Sequence, residues 1–132
     1  MRSLILAAAT IALLGTAEIA TAAKPLSTPP VFFDKGALGF VGCLVTNTTA
    51  KPIGPVEIDI LDEAGAKLSG GSFASVAAEQ TVSILPSNSA LGTTGLVRCR
   101  VSGKVVARNK TLVTLCVFPP GSLTCEAAVT VP

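Results

Sequence analysis

The chain has 132 residues, of which 49% are hydrophobic and 14% charged, with a net charge of +2 and no histidine. This length fits one domain, and so small a charge lacks the concentrated basic footprint of nucleic-acid binders. Without imidazole, Ser–His–Asp and Cys–His catalysis are excluded, and the commonest metal ligand is missing. The composition therefore predicts no enzyme, no cofactor, no metal site and no nucleic-acid partner.

Residues 1–22 have the pattern of a cleavable signal peptide. Arg2 provides a basic start, Leu4–Leu14 an apolar stretch, and Ala20–Ala22 a small-residue cleavage signal. An uncleaved membrane anchor is the alternative, which Glu18 inside the run disfavours. The cleavage position itself stays open. We expect a secreted or periplasmic protein with no integral membrane segment after cleavage.

Two further segments follow in chain order. Residues 23–30 are polar and proline-containing, which predicts a flexible N-terminal segment. Residues 31–132 consist of short apolar runs between turn residues, and no run keeps a helical period of 3.6 residues. Their two-residue spacing of Val, Ile, Thr and Leu predicts a single domain built from strands.

The alternation is clearest in Val56–Leu61, where Glu57 and Asp59 are expected on the solvent side. Further strands are predicted at Phe40–Asn47, Lys67–Phe73, Gln80–Leu85, Leu96–Val101 and Leu123–Val131, and one long strand or two at Val105–Phe118. Asp62–Gly65 predicts a hairpin turn, and Gly70–Gly71 a β-bulge. The turn-rich Pro86–Gly95 segment predicts a crossover between two sheets.

The four cysteines predict two disulfides, because an exported chain meets oxidising conditions. All of Cys43, Cys99, Cys116 and Cys125 lie in strand-like runs and are expected to face a core. A hairpin turn centred on Pro120–Gly121 places Cys116 opposite Cys125. A metal site is the competing interpretation, which the missing C-x-x-C pair and histidine disfavour.

Cys43 in the first strong strand and Cys99 after the long crossover resemble the inter-sheet bridge of immunoglobulin-type sandwiches. Exported bacterial domains of the immunoglobulin-like or fibronectin type III-like class are the nearest comparison. The resemblance implies an all-β, Ig-like antiparallel β-sandwich of about seven or eight strands with a Cys43–Cys99 bridge. Together with the hairpin pair Cys116–Cys125, this is the expected one of the three possible pairings. The chain lacks the tryptophan that packs on that bridge and the tyrosine of the corner motif.

Two sets of charged residues are candidates for a functional site. Glu57 and Asp59 lie about 7 Å apart on one strand face, but exposed carboxylates favour cross-strand ion pairs with Arg98 and Arg100 over catalysis. A basic excess continues through Lys104, Arg108 and Lys110 without an intervening acid. We interpret it as a solvated face, with an anionic partner as the alternative.

The aromatic composition disfavours carbohydrate binding, since the chain has no Trp and no Tyr. The five phenylalanines are expected mainly in the core, and Phe32–Phe33 is the candidate exposed contact. Asn47 and Asn109 begin N-glycosylation patterns that arise often by chance.

These observations predict an exported, non-catalytic β-sandwich that serves as a binding or structural module, with a protein partner and an unknown ligand. A fimbrial or adhesin-type subunit that donates the strand Val31–Asp34 is one alternative. The chain departs from that pattern because it lacks a near-terminal tyrosine. An inhibitor of an exported protease, presenting the Cys116–Cys125 hairpin, is another.

Overall fold

The computed structural model describes residues 24–34, 39–86, 95–104, 106–122, 124–125 and 127–131. In these ranges the chain forms nine strands and no helix: β1 (Leu26–Ser27), β2 (Val31–Phe33), β3 (Phe40–Asn47), β4 (Val56–Leu61), β5 (Lys67–Phe73), β6 (Thr81–Ile84), β7 (Gly95–Ser102), β8 (Thr111–Phe118) and β9 (Ala127–Val131). The described part of the chain thus contains no helix that could cross a membrane. The predicted signal peptide and residues 87–94 of the crossover lie outside the described residues.

The strands form two antiparallel sheets. The first has the order β1–β7–β4–β5, with β2 also paired to β7, and the second has the order β6–β3–β8–β9. The predicted all-β fold of two sheets is therefore confirmed. The segment Pro86–Gly95 leads from β6 in one sheet to β7 in the other, as the sequence predicted.

The core lies between the sheets and consists mainly of β-branched side chains, which suit a pleated, half-buried surface. Its fully buried members include Val41, Val45, Ile58, Ile60, Val97, Val101, Val113 and Leu115. The expectation of a core position is wrong for Phe40, which is 43% exposed, whereas Phe32 of the candidate exposed contact is 64% exposed. Both lie at strand positions that alternate with inward-facing valines, so the pleat turns them outward.

The N-terminal segment is part of the sandwich. The side chain of Leu26 is 6% exposed and packs in the core cluster. The backbone N–H of Thr28 donates to the Cys99 carbonyl at 2.9 Å, and its Oγ1 accepts from the Cys99 N–H at 3.1 Å. The fold therefore begins before Val31, where the sequence placed the domain boundary. Pro29 and Pro30 separate β1 from β2 along this edge, where missing N–H groups limit further strand pairing.

The β4–β5 hairpin closes at Asp62–Gly65, as predicted. The Asp62 carbonyl accepts the Gly65 N–H at 3.1 Å, and Gly65 adopts a φ of +89° that glycine tolerates. The predicted bulge at Gly70–Gly71 is wrong, since both glycines pair in regular register with Asp59 and Ile58. The register shifts instead between Ile60 and Leu61.

Both disulfides have the expected partners. Cys43 and Cys99 join β3 to β7 across the core, with Cα atoms 5.7 Å apart and no exposure. Cys116 and Cys125 have Cα atoms 5.5 Å apart. The Pro119 carbonyl accepts the Ser122 N–H at 3.2 Å, which forms the predicted Pro–Gly turn.

The register of the β8–β9 hairpin differs from the prediction. Cys116 lies opposite Ala128 rather than Cys125, which belongs to the loop before β9. The loop adds residues only after the turn at Pro120–Gly121, so the turn is not the centre of the strand pairing. Cys116 also alternates with the inward-facing Leu115, and its bridge therefore lies on the outer side of the sheet instead of facing the core.

We expect the two disulfides to contribute unequally to stability. The Cys43–Cys99 bridge closes a separation of 56 residues and the Cys116–Cys125 bridge one of 9. Loop-closure entropy predicts losses of about 4 and about 3 kcal/mol when each pair is replaced by alanine. Urea unfolding of the two double variants measures this, and an equal or reversed order of loss contradicts the prediction.

The packing of β1 in the core predicts that its leucine contributes more to stability than an exposed leucine does. Leu26→Ala should lower the free energy of unfolding by about 2 kcal/mol, since it removes a buried side chain from the core. The matched control Leu85→Ala truncates a leucine that is 50% exposed, and its loss should stay below about 1 kcal/mol. Equal urea midpoints for wild type and Leu26→Ala would mean that residues 24–30 do not belong to the fold.

Candidate functional site

The outer face of the first sheet carries an ion-pair cluster around Asp59. The carboxyl of Asp59 lies 2.6 Å from Nζ of Lys67 on β5 and 2.7 Å from Nη2 of Arg100 on β7. Its side chain is only 4% exposed, because the two longer, half-exposed side chains cover it. Gly70 lies opposite Asp59 on β5, and a Cβ there would come within 2.8 Å of Oδ1. The lack of a side chain at Gly70 makes room for the cluster.

The cluster keeps Asp59 charged. Burial by itself would raise the pKa of this carboxyl, but hydrogen bonds and Coulomb attraction from Lys67 and Arg100 outweigh it and lower the pKa below its usual 3.8. The hydrogen bond to Asp59 is the main cause that raises the pKa of Lys67 above 10.5. A carboxyl that acts as a general acid near neutral pH needs a raised pKa, and a lysine that acts as a general base needs a lowered one. Both pKa values move the other way here, so the arrangement suits a structural ion pair.

The sequence predicted this cluster in part. The cross-strand pair of Asp59 and Arg100 is confirmed, and the two residues lie directly opposite each other. The solvent-exposed position expected for Asp59 is wrong. Glu57 does remain exposed, and its carboxyl lies 3.8 Å from Lys67. Arg98 lies opposite Leu61 and reaches over the β4–β5 turn.

The outer face of the second sheet has the opposite character. Its strands β3, β6, β8 and β9 contain no charged residue within the described bounds. We call this surface the uncharged face. Its polar side chains are those of Thr46, Thr81, Ser83, Thr114 and Thr130. Hydroxyls pair across strands at 2.7 Å between Thr46 and Thr81 and at 3.2 Å between Thr114 and Thr130.

One end of the uncharged face forms an apolar cluster. Phe40, Leu85 and Phe118 line a shallow cavity of about 160 Å³, which Ser122 of the disulfide-bonded hairpin completes. Phe40 is 43% and Leu85 50% exposed. Gly42 lies beneath them, and a Cβ there would come within 2.7 Å of both Leu85 and Phe118 side chains. The cluster thus depends on a glycine at the centre of the sheet.

Comparisons with known proteins do not assign the chain to a family. No family model, curated protein or solved structure matches it. The function therefore has to be inferred from the chain's own side chains and their surroundings.

The remaining basic residues surround the β7–β8 connection. Lys104, Arg108 and Lys110 are exposed there, and a surface groove of about 450 Å³ runs between Lys24 and Arg108. No hydrogen bond or ion pair in the described residues organises these cations into a defined anion site. Nor do the described residues bring three or more His, Cys, Asp or Glu side chains together as metal ligands.

Asn47 has a structural role that the sequence did not indicate. It is fully buried, and its Nδ2 donates to the carbonyls of Lys51, Val76 and Ala77 at 2.8–3.1 Å. Its Oδ1 accepts from the Thr49 N–H at 2.9 Å. The glycosylation pattern at this position therefore places its acceptor amide inside the folded chain.

The sequence also missed the apolar cluster. It indicated Phe32–Phe33 as the exposed contact, and Phe32 is exposed, but it treated Phe40 and Phe118 as core residues. The available signal was the phase of alternation. Phe40 and Phe118 each follow the opposite phase to the buried Val41 and Val113.

The lowered pKa of Asp59 predicts a pH dependence of stability. Because the folded-state pKa lies below the unfolded value of about 3.9, the contribution is fully present above that value and is lost as pH falls through the folded-state pKa. We expect Asp59→Asn to lower the free energy of unfolding at pH 7 by about 1–3 kcal/mol and to reduce its decline between about pH 5 and pH 2.

The control is Glu57→Gln, which alters an exposed carboxyl 3.8 Å from the same lysine. Its effect should stay below about 1 kcal/mol. Urea titrations at several pH values compare both variants with the wild type. If the free energy of unfolding of the Asp59→Asn variant falls with decreasing pH as steeply as that of the wild type, the assigned role of this carboxyl is contradicted.

Proposed function

We propose that the protein is an exported, non-catalytic β-sandwich that acts as a binding or structural module through its uncharged face. The observation that carries this proposal is the exposed apolar cluster of Phe40, Leu85 and Phe118. Large apolar side chains beside a cavity are typical of contact sites, because their association removes apolar surface from water.

The charge distribution supports the choice of this face. The first sheet presents Glu57, Asp59, Lys67 and Arg100 outward, where ion pairs join the two carboxylates to the two cations. The second sheet presents hydroxyls and apolar groups, which lose little on desolvation compared with charges. A partner can therefore cover the uncharged face without burying an unpaired ion.

The cavity volume supports a macromolecular partner. Sites for small ligands typically enclose about 300–1,000 Å³, whereas the cavity at Phe40 has about 160 Å³. A volume of this size suits one apolar side chain that projects from another protein. Our proposal of a protein partner rests on this difference.

The two disulfides are consistent with export. The bridge between β3 and β7 supports the proposed immunoglobulin-like relationship. In immunoglobulin domains, the first bridged strand lies beside the N-terminal strand in one sheet, and the second bridged strand lies beside the C-terminal strand in the other. The strand order of this chain differs from that arrangement, because β3 lies between β6 and β8 and the N-terminal β1 adjoins β7.

The fimbrial alternative requires a free N-terminal strand. Val31–Phe33 pairs with β7 of its own chain, and Val31 packs against the core. Donation to another subunit would first have to break these contacts. The geometry therefore favours the binding or structural module.

Site-specific photocrosslinking tests the proposal. We expect p-benzoylphenylalanine in place of Phe40 to form a discrete protein adduct in intact cells that produce the full chain, because the cluster is covered there. The matched control places the same probe at Phe32, which is more exposed but lies on the first sheet. The adduct from position 40 should disappear when Leu85→Lys is added. No adduct from position 40, or an equal one from position 32, refutes the proposed surface.

A further inference from the structure

We propose that the uncharged face binds a second copy of this chain, so that the two faces pack against each other around a two-fold axis. The inference rests on the proposed function, because it names the partner of the same surface.

The first reason is charge. A two-fold contact brings the same surface of both copies together, so the charged groups of that surface would lie close to the same groups of the other copy. The four strands of the uncharged face carry no charged residue. The face consequently meets its own copy without electrostatic repulsion and without burying an ion, whereas a contact through the first sheet would bury the charges of Lys67 and Arg100.

The second reason is shape. Leu85 and Phe40 project beside a cavity of about 160 Å³ that they line together with Phe118. A surface with both a projecting apolar side chain and a cavity for one can complement itself, because each copy supplies what the other accepts. Contact between the two clusters also removes the largest exposed apolar side chains of this sheet from water.

The third reason is the polar part of the face. Thr46 and Thr81, like Thr114 and Thr130, share one hydrogen bond between their hydroxyls within the sheet. That bond uses one O–H donor of each pair, and the other can donate to a hydroxyl of the facing copy. Two sheets that pack face to face keep a spacing of about 10 Å, which side chains of this size fill.

The area sets the strength of the contact. Strands about 4.8 Å apart, with a rise of about 3.3 Å per residue, give the face dimensions of roughly 19 by 20 Å between Phe40 and Thr46. A flat contact of these dimensions would bury roughly 380 Å² on each copy and roughly 760 Å² in total, which is at the low end that weak and transient complexes occupy. We therefore expect a dimer that forms above roughly 10–100 µM rather than a permanent one.

Sedimentation velocity of the purified chain tests this inference. The sedimentation coefficient should rise from a monomer to a dimer value between about 10 µM and about 1 mM. Leu85→Lys places a like charge on both faces and should weaken the dimer at least about 10-fold. Phe40→Ser is a second, independent variant, and Phe32→Lys is the matched control on the other sheet. Urea unfolding confirms that each variant is folded.

The outcomes separate the inference from the proposed function. Dimerisation that Leu85→Lys and Phe40→Ser weaken, and Phe32→Lys does not, supports the inference. A wild-type protein that stays monomeric up to about 1 mM overturns it, as does a dimer that only Phe32→Lys disrupts. If a monomeric protein still gives a crosslinked adduct of another mass from position 40, the inference fails while the proposed function holds.

Discussion

The bridge between Cys43 and Cys99 is the constraint on which the rest of the fold depends. It joins β3, which pairs with β6 and β8, to β7, which pairs with β1, β2 and β4, so both bridged strands lie inside their sheets rather than at an edge. The backbone of Cys99 also exchanges hydrogen bonds with Thr28, so the same residue anchors the N-terminal segment. One covalent link therefore sets the position of two sheets and of the first strand. A domain of this size has a small core, and such a link adds stability that burial alone does not supply.

The two sheets share a core but differ in their outer faces. In the first sheet, Gly70 leaves space beside Asp59, and Lys67 and Arg100 close over the carboxylate. In the second sheet, Gly42 leaves space that Leu85 and Phe118 fill with apolar contacts. The same device, a glycine in the middle of a strand, thus supports an ionic cluster on one face and an apolar cluster on the other. This difference is what directs the functional proposal to the second sheet.

Alternation predicted most of the strands because it is a local property. The strand Val56–Leu61, the turn at Asp62–Gly65 and the crossover at Pro86–Gly95 all agree with the structure. Register was harder to predict, because it depends on how many residues a loop inserts on each side of its turn. The loop before β9 extends on one side only, which moved the partner of Cys116 to Ala128. The disulfide nevertheless forms, since a loop residue can reach a neighbouring strand.

By itself, the sequence determined the two-sheet all-β class and the partners of the four cysteines. Both follow from spacing along the chain and from the resemblance that Cys43 and Cys99 carry. Only the tertiary structure decided which side chains cover Asp59, that Asn47 is buried, and that Phe40, Leu85 and Phe118 form one exposed cluster. These residues are far apart in sequence and come from different strands. A periodic pattern assigns a side chain to a face, whereas its neighbours on that face depend on strand order and register.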